Sequence, residues 1–110
     1  MSNLTQNHRS SPRKPLHTHG TLVVGKSTVP FATVDIGPSG ICLLVPSLMD
    51  IGQRCHIDLT LTAKAHQYEI SAIVKVSYCV SSKEGFRVGM QFVDMINKAN
   101  VNAITLYLES

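Results

Sequence analysis

Residues 53–61, QRCHIDLTL, alternate polar and apolar side chains from Arg54 onward. A period of two is that of a β-strand, in which successive side chains point to opposite faces. Residues 68–78, YEISAIVKVSY, repeat the alternation. Two such stretches in succession predict antiparallel strands with one face on a core and the other toward water. The predicted core face consists of Cys55, Ile57, Leu59, Leu61, Tyr68, Ile70, Ala72, Val74, Val76 and Tyr78.

More strands flank this pair on both sides. Residues 21–26 and 29–36 are β-branched runs with a short polar break between them, which predicts a hairpin. Residues 37–40, Gly-Pro-Ser-Gly, form a turn by composition. Residues 41–45 are a short apolar strand that Pro46 ends, and residues 86–92 continue the alternation in a last strand.

The period changes to that of a helix after this last strand. Asn97 is a good helix cap, and the helix is expected to run to about Glu109. Its predicted inward stripe consists of Val101, Ile104, Thr105 and Leu108. Antiparallel strands followed by one terminal helix predict an all-β domain, a small barrel that the helix plugs. Closure into a barrel also removes the open edges of such apolar strands.

The composition predicts one compact domain in a reducing compartment. The chain has 110 residues, 44% of them apolar, and no run of 18 apolar residues that would span a membrane. Residues 1–8 are polar, which argues against a secretory signal. Cys42, Cys55 and Cys79 lie in separate apolar runs, as buried free thiols do. We therefore expect a cytoplasmic protein.

The basic charge is concentrated in the N-terminal segment. Residues 1–34 contain four basic side chains and no acidic one, whereas residues 35–110 contain six basic and seven acidic ones. Residues 1–19 also contain two prolines and no helical or strand period, which predicts a flexible or irregular arm before a domain at 20–110. A cationic arm suits an anionic partner, although charge alone favours a solvated tail.

Catalytic and metal-binding patterns are weak in this sequence. His17 and His19 lie in the arm without further metal ligands, and His56 and His66 fall on the polar faces of predicted strands. The surroundings of Ser39 lack the Gly-x-Ser-x-Gly pattern of a nucleophile elbow. We therefore predict no enzyme, no catalytic residue, no metal site and no cofactor.

Two short motifs remain, and each is weak by itself. Residues 9–13, RSSPR, place Arg9 and Arg13 four apart, and Pro12 makes a shared helical face improbable. Residues 35–40, DIGPSG, place Asp35 before a glycine-containing turn. Two arginines at this spacing are more often solvated than bound to a ligand, and the turn could simply end a strand.

In this order and spacing the two motifs resemble the signatures of the PilZ family, Arg-x-x-x-Arg followed by Asp/Asn-x-Ser-x-x-Gly. Residues 86–93, FRVGMQFV, look like the family's final strand, so the resemblance covers residues 8–109. It implies a six-stranded antiparallel β-barrel with a C-terminal helix that binds cyclic di-GMP. The implied ligand contacts are Arg9, Arg13, Asp35, Gly37, Ser39 and Gly40, with His8 and Arg87 as secondary candidates.

The roles that the resemblance implies suit the chemistry of these side chains. Arginine pairs bidentately with phosphate or with the O6/N7 edge of guanine, and a carboxylate such as Asp35 accepts hydrogen bonds from guanine N–H groups. One position departs from the family pattern, because Gly37 stands where the family prefers serine. A lost neutral hydrogen bond costs about 0.5–1.5 kcal/mol, so Gly37→Ser is expected to tighten binding modestly.

Three functions follow from these observations. The first is a receptor whose arm changes conformation on binding cyclic di-GMP and signals to a protein partner. The alternative is a PilZ-fold adaptor that has lost the ligand and acts by protein–protein contacts. The third, a nucleic-acid-binding barrel, is disfavoured because aromatic residues make up only 5% of the chain. The sequence leaves open whether one or two ligands bind, and the residue before the first arginine, His8, does not decide it.

Overall fold

The computed structural model describes residues 12–95 and 98–110. Within these residues, a closed six-stranded antiparallel barrel carries one additional short strand and one helix, which confirms the predicted fold class. The elements are β1 (Lys14–Pro15), β2 (His19–Val24), β3 (Ser27–Ile36), β4 (Gly40–Val45), β5 (Arg54–Ala63), β6 (His66–Ser82), β7 (Gly85–Met95) and α1 (Lys98–Glu109).

The barrel closes through β3, a ten-residue strand with two partners. The strand order is β1-β3-β2-β5-β6-β7-β4, and the pairing of β3 with β4 joins the ends of that order. The predicted alternation of β5 is confirmed, since every second residue is buried and the residues between them are more accessible. Ile57 and Leu61 of β5 are fully buried in the core.

Residues 14–16 are hydrogen-bonded to β3 and reach the barrel core. Lys14 and Pro15 pair with Ile36 and Asp35, and Leu16 is buried in the barrel core. Residues 16–18, between β1 and β2, are not part of a strand paired with β3. There the buried Thr33 hydroxyl donates to Leu16 O at 2.7 Å and accepts from Thr18 N at 2.8 Å. The hydroxyl thus satisfies backbone groups that would otherwise be unpaired. The division of the chain at residue 19 stays a prediction.

One β-bulge changes the face of a predicted core residue. The register of β6 against β7 shifts between Val76 and Tyr78. Val76 is buried as predicted, but the extra residue turns Tyr78 outward, so that it is 44% exposed. The prediction that Tyr78 lies on the core face was therefore wrong, because strict alternation does not survive a bulge.

Two of the four residues predicted on the inward stripe of the helix, Ile104 and Leu108, pack against the barrel core, and the other two do not. Asn100, Ala103 and Ile104 are buried, whereas Val101 and Thr105 are exposed. The rotation follows from Asn100, whose side-chain amide accepts from Ser71 N and donates to Glu69 O, both at 2.9 Å. These two backbone groups of β6 lie beyond Ala72, where pairing with β7 ends. Asn97, the predicted cap, lies outside the described residues.

Two of the three cysteines are buried, as the sequence predicted. Cys42 and Cys55 are buried and Cys79 is half-buried, and all three are free thiols. The part of the chain described here contains no helix with the length and apolarity that crossing a membrane requires.

Candidate functional site

The register of β1 against β3 brings the two predicted motifs together. Pro15 lies opposite Asp35, and Lys14 lies opposite Ile36. Arg13, which precedes Lys14, is therefore close to Asp35 at the end of β3. Arg13 Nε donates to Asp35 Oδ1 at 2.9 Å, and Arg13 Nη2 donates to the same oxygen at 2.6 Å. The ion pair is partly exposed, since 44% of the Arg13 side chain and 33% of the Asp35 side chain are accessible. Its net stabilisation is therefore small, and its value lies in placing both groups.

The turn after Asp35 connects β3 to β4 at the point where the barrel closes. Gly37 N donates to Gly40 O at 2.8 Å, and Phe92 N of β7 donates to Ser39 O at 2.9 Å. A Cβ atom on Gly40 would collide with the carbonyl oxygen of Met90, so only glycine allows β7 to approach this closely. Pro38 and Ser39 are exposed at the tip of the turn.

A cavity of about 420 Å³ opens beside this turn on the outer surface of the barrel. Its wall combines residues of the predicted motifs with residues of β6 and β7. Those that carry polar side chains, together with the glycine of the turn, are Arg13, Ser39, Gly40, Ser77, Tyr78 and Gln91.

Tyr78 is the cavity residue that the sequence interpretation placed on the wrong face. Its ring covers Gly89 of β7, where a side chain would overlap the ring carbons. Its hydroxyl lies 3.6 Å from Cys42 Sγ of β4, within hydrogen-bond range for sulfur. An aromatic residue opposite a glycine on neighbouring strands is a recurring pair in sheets, and that pair was the only signal in the sequence.

The contact between Tyr78 and Cys42 affects the acidity of both groups. Burial raises the pKa of the Cys42 thiol above its ordinary 9.0, and the hydrogen bond to Tyr78 only partly opposes this. The pKa of Tyr78 is raised above its ordinary 10.0, first by the hydrogen bond with Cys42 and then by burial. Both groups are therefore neutral near pH 7.

The remaining predicted site residues fall into three groups. Arg9 and His8 lie outside the described residues. Arg87 is exposed on β7, two positions from Gly89 and beyond the residues that line the cavity. Asp35 and Gly37 do not line the cavity but contact Arg13, which does.

A second polar cluster lies elsewhere on the barrel, on β5 and β6. His56 Nε2 is 3.3 Å from Asp58 Oδ1, and the Ser71 hydroxyl donates to the same carboxylate oxygen. The serine is bonded to the carboxylate and not to the imidazole, so this arrangement does not activate it as a nucleophile. Within residues 12–95 and 98–110, no three His, Cys, Asp or Glu side chains are grouped as a metal site requires.

Comparisons with known proteins agree with this architecture. The family model of the PilZ domain matches residues 7–110. No curated protein matches the sequence. Among solved structures, the chain is similar to the Bacillus subtilis inhibitor of motility (MotI/DgrA), with 12% identity and a TM-score of 0.78 over 92% of this chain and 49% of that one. The chain thus spans about half of the MotI chain.

A second similar structure is the PilZ domain of YcgR from Escherichia coli, solved with c-di-GMP. It shares 14% identity with this chain and has a TM-score of 0.63, and the alignment covers 90% of this chain and 87% of that one. At these identities the likeness concerns the fold.

Proposed function

The chain belongs to the PilZ domain family, and from that membership we propose that it is a receptor for cyclic di-GMP, bound at the cavity beside Arg13. The observation that carries the proposal is the Arg13–Asp35 pair. The two residues come from the two motifs of the family and meet at the edge of a 420 Å³ cavity. The solved YcgR domain, which has the same fold, contains c-di-GMP.

The geometry of the pair suits recognition of a guanine base. Both bonds from Arg13 end on Asp35 Oδ1, which leaves Oδ2 to accept from a ligand N–H. The Nη1 group of Arg13 takes no part in these bonds and remains a donor. An acceptor and a donor side by side complement guanine, which presents N–H donors next to its O6 and N7 acceptors.

The remaining wall supplies stacking and charge. Tyr78 presents a partly exposed aromatic ring, and a base that stacks on such a ring gains about 1–3 kcal/mol. Arg9 is the proposed second phosphate or guanine contact, and it adds positive charge to that of Arg13. The ligand carries two phosphate charges, which this local excess of positive charge would attract.

We expect the ligand to act through the segment before β2. This segment carries Arg9 and Arg13, and contacts with the ligand would favour one arrangement of it over others. The changed surface would then be recognised by a protein partner, as in the receptor function that the sequence suggested. A partner, a downstream pathway and a cytoplasmic location are parts of this proposal.

Calorimetric titration tests the proposal directly. Cyclic di-GMP should bind to the wild-type chain, whereas GTP and cyclic di-AMP should bind far more weakly. Arg13→Ala removes a charged contact and should weaken binding by well over tenfold, since such truncations cost about 2–5 kcal/mol. Arg54→Ala is the matched control, because Arg54 is an exposed arginine of β5 that does not line the cavity. Wild-type affinity in Arg13→Ala, with an unchanged circular dichroism spectrum, would refute the assignment of the site.

The alternative is an adaptor of the same fold that works without the ligand. One observation favours it, because Leu48 and Ile51 in the loop between β4 and β5 are 68% and 72% exposed. Large exposed apolar side chains are candidates for contact with another protein. The same titration separates the two functions, since an adaptor would give no heat with cyclic di-GMP.

A further inference from the structure

Gly37 is buried although the two residues that follow it are exposed. The chain that covers it is the segment just before β1. A Cβ atom placed on Gly37 would lie 3.1 Å from Pro12 O, 3.2 Å from Arg13 Nη1 and 3.3 Å from Arg13 Cγ. Gly37 is therefore the point at which the Arg13 side chain crosses the turn between β3 and β4.

Gly37 is required because a Cβ atom would be too close to its neighbours, and not because its backbone has a positive φ. The positive-φ glycines in the described part of the chain are Gly25, Gly52 and Gly85. Contacts of 3.1–3.3 Å are shorter than most contacts of a Cβ atom in proteins, so a Cβ on residue 37 would require Pro12 O or the Arg13 side chain to shift by a few tenths of an ångström. The arginine could swing away, but Pro12 O is backbone held near β1 by the pairing of Lys14 with Ile36.

We propose that Gly37 is a positioning residue for Arg13. The missing Cβ lets the arginine stem lie flat across the turn, so that Nε and Nη2 both reach Asp35 Oδ1. Any side chain at position 37 lifts the guanidinium away from the carboxylate by a few tenths of an ångström. The consequence for ligand binding rests on the proposed function, whereas the consequence for the ion pair does not.

This role reverses the expectation drawn from the family pattern. If the missing serine hydroxyl were the main effect, Gly37→Ser would tighten binding and Gly37→Ala would change it little. If the Cβ is the main effect, serine and alanine behave alike, because they share that atom. The two substitutions therefore form a matched pair in which only the hydroxyl differs.

The experiment has one arm without ligand and one arm with it. In the free protein, NMR measures the rate at which Arg13 Nε–H exchanges with water, with Asp35→Ala as the reference for a released arginine. A weakening of this hydrogen bond by about 1 kcal/mol should speed the exchange about fivefold in both Gly37 variants. In calorimetry with cyclic di-GMP, both variants should bind about tenfold more weakly than wild type, as the loss of a charge-assisted bond implies.

Each result decides the proposal. Wild-type exchange rates in both variants, or tighter binding by Gly37→Ser, would overturn it. A wild-type protein that does not bind cyclic di-GMP would refute the proposed function, and the exchange rates would still decide the positioning role. Should a variant fail to fold, the wild-type protein still provides a test, because nuclear Overhauser contacts between the Gly37 α-protons and the Arg13 side chain must be present.

Discussion

At the scale of single residues, this site depends on side chains that meet across strands. Arg13 and Asp35 are 22 positions apart in the sequence, and Arg13 donates a hydrogen bond to one carboxylate oxygen of Asp35. Tyr78 reaches the same cavity because one extra residue in β6 reverses its direction. Neither arrangement adds much to stability, since both lie at the surface. Their value is geometric, because they place a cation and an aromatic ring in the wall of one cavity, with a carboxylate bonded to the cation.

The aromatic ring gives a prediction at this scale. Tyr78→Ala should weaken cyclic di-GMP binding about five- to hundredfold, because a stacking contact contributes about 1–3 kcal/mol. Tyr78→Phe keeps the ring and loses only the hydroxyl contact with Cys42, so its affinity should stay close to that of wild type. Calorimetry on the three proteins checks this. Equal affinity in Tyr78→Ala and wild type would remove the ring from the ligand site.

At the scale of elements, β1 is held by the helix as well as by β3. Lys14 Nζ donates to Tyr107 O at 3.0 Å and to Ser110 O at 2.9 Å, and it lies 4.4 Å from the centre of the Tyr107 ring. The Tyr107 hydroxyl in turn donates to Pro15 O at 2.6 Å. A cation at the last carbonyls of a helix also complements the helix dipole. The element next to Arg13 is thus tied to the end of α1.

This tie predicts a measurable loss of stability. Lys14→Met keeps the aliphatic stem and removes the ammonium group, which should lower the free energy of unfolding by about 1 kcal/mol and the melting temperature by roughly 4–8 °C. Lys26→Met is the control, since Lys26 is an exposed lysine in the turn between β2 and β3. Thermal melts of the two variants should therefore differ. Identical melts would mean that the lysine bridge contributes nothing.

The sequence predicted these elements well where one face decides the pattern. The alternation of β5 and of the first part of β6 identifies the buried positions, because in these stretches one face of each strand lies on the core and strict alternation holds. It failed at Tyr78, where a bulge changes the count, and on the helix, where Asn100 sets the rotation through hydrogen bonds to β6. It also assigned Lys14 to a solvated arm, because charge gives no information about a partner 93 residues away. A local sequence pattern predicts local burial, whereas these three features depend on contacts between residues distant in the sequence.

At the scale of the whole molecule, two thiols and one phenol make the stability depend on pH in the alkaline range. The pKa values of Cys42, Cys55 and Tyr78 are all raised, mainly by burial for the two thiols and by the hydrogen bond with Cys42 for the phenol. The folded protein therefore keeps protons that the unfolded chain releases. This contribution to stability is complete below the ordinary thiol value of 9.0 and is lost as the pH rises through the folded-state values.

Denaturant titrations at a series of pH values test this dependence. The free energy of unfolding of the wild-type protein, kept reduced, should fall as the pH rises above the ordinary thiol value of 9.0. The Cys42→Ala/Cys55→Ala double variant lacks both thiols and should show a shallower fall, whatever its absolute stability. An equally steep fall in that variant would assign the dependence to other groups.

The way the barrel closes also has a consequence for the order of folding. The wall of the cavity contains Arg13, which precedes β1, and residues of the turn between β3 and β4, of β6 and of β7. The wall is therefore complete only when β7 has paired with β4 and β4 with β3. Pairings between strands so distant in the chain form late, after local hairpins. A ligand in this cavity cannot assist early folding, because its site does not yet exist. It would act on the lifetime of the native state, by slowing unfolding while leaving the folding rate nearly unchanged.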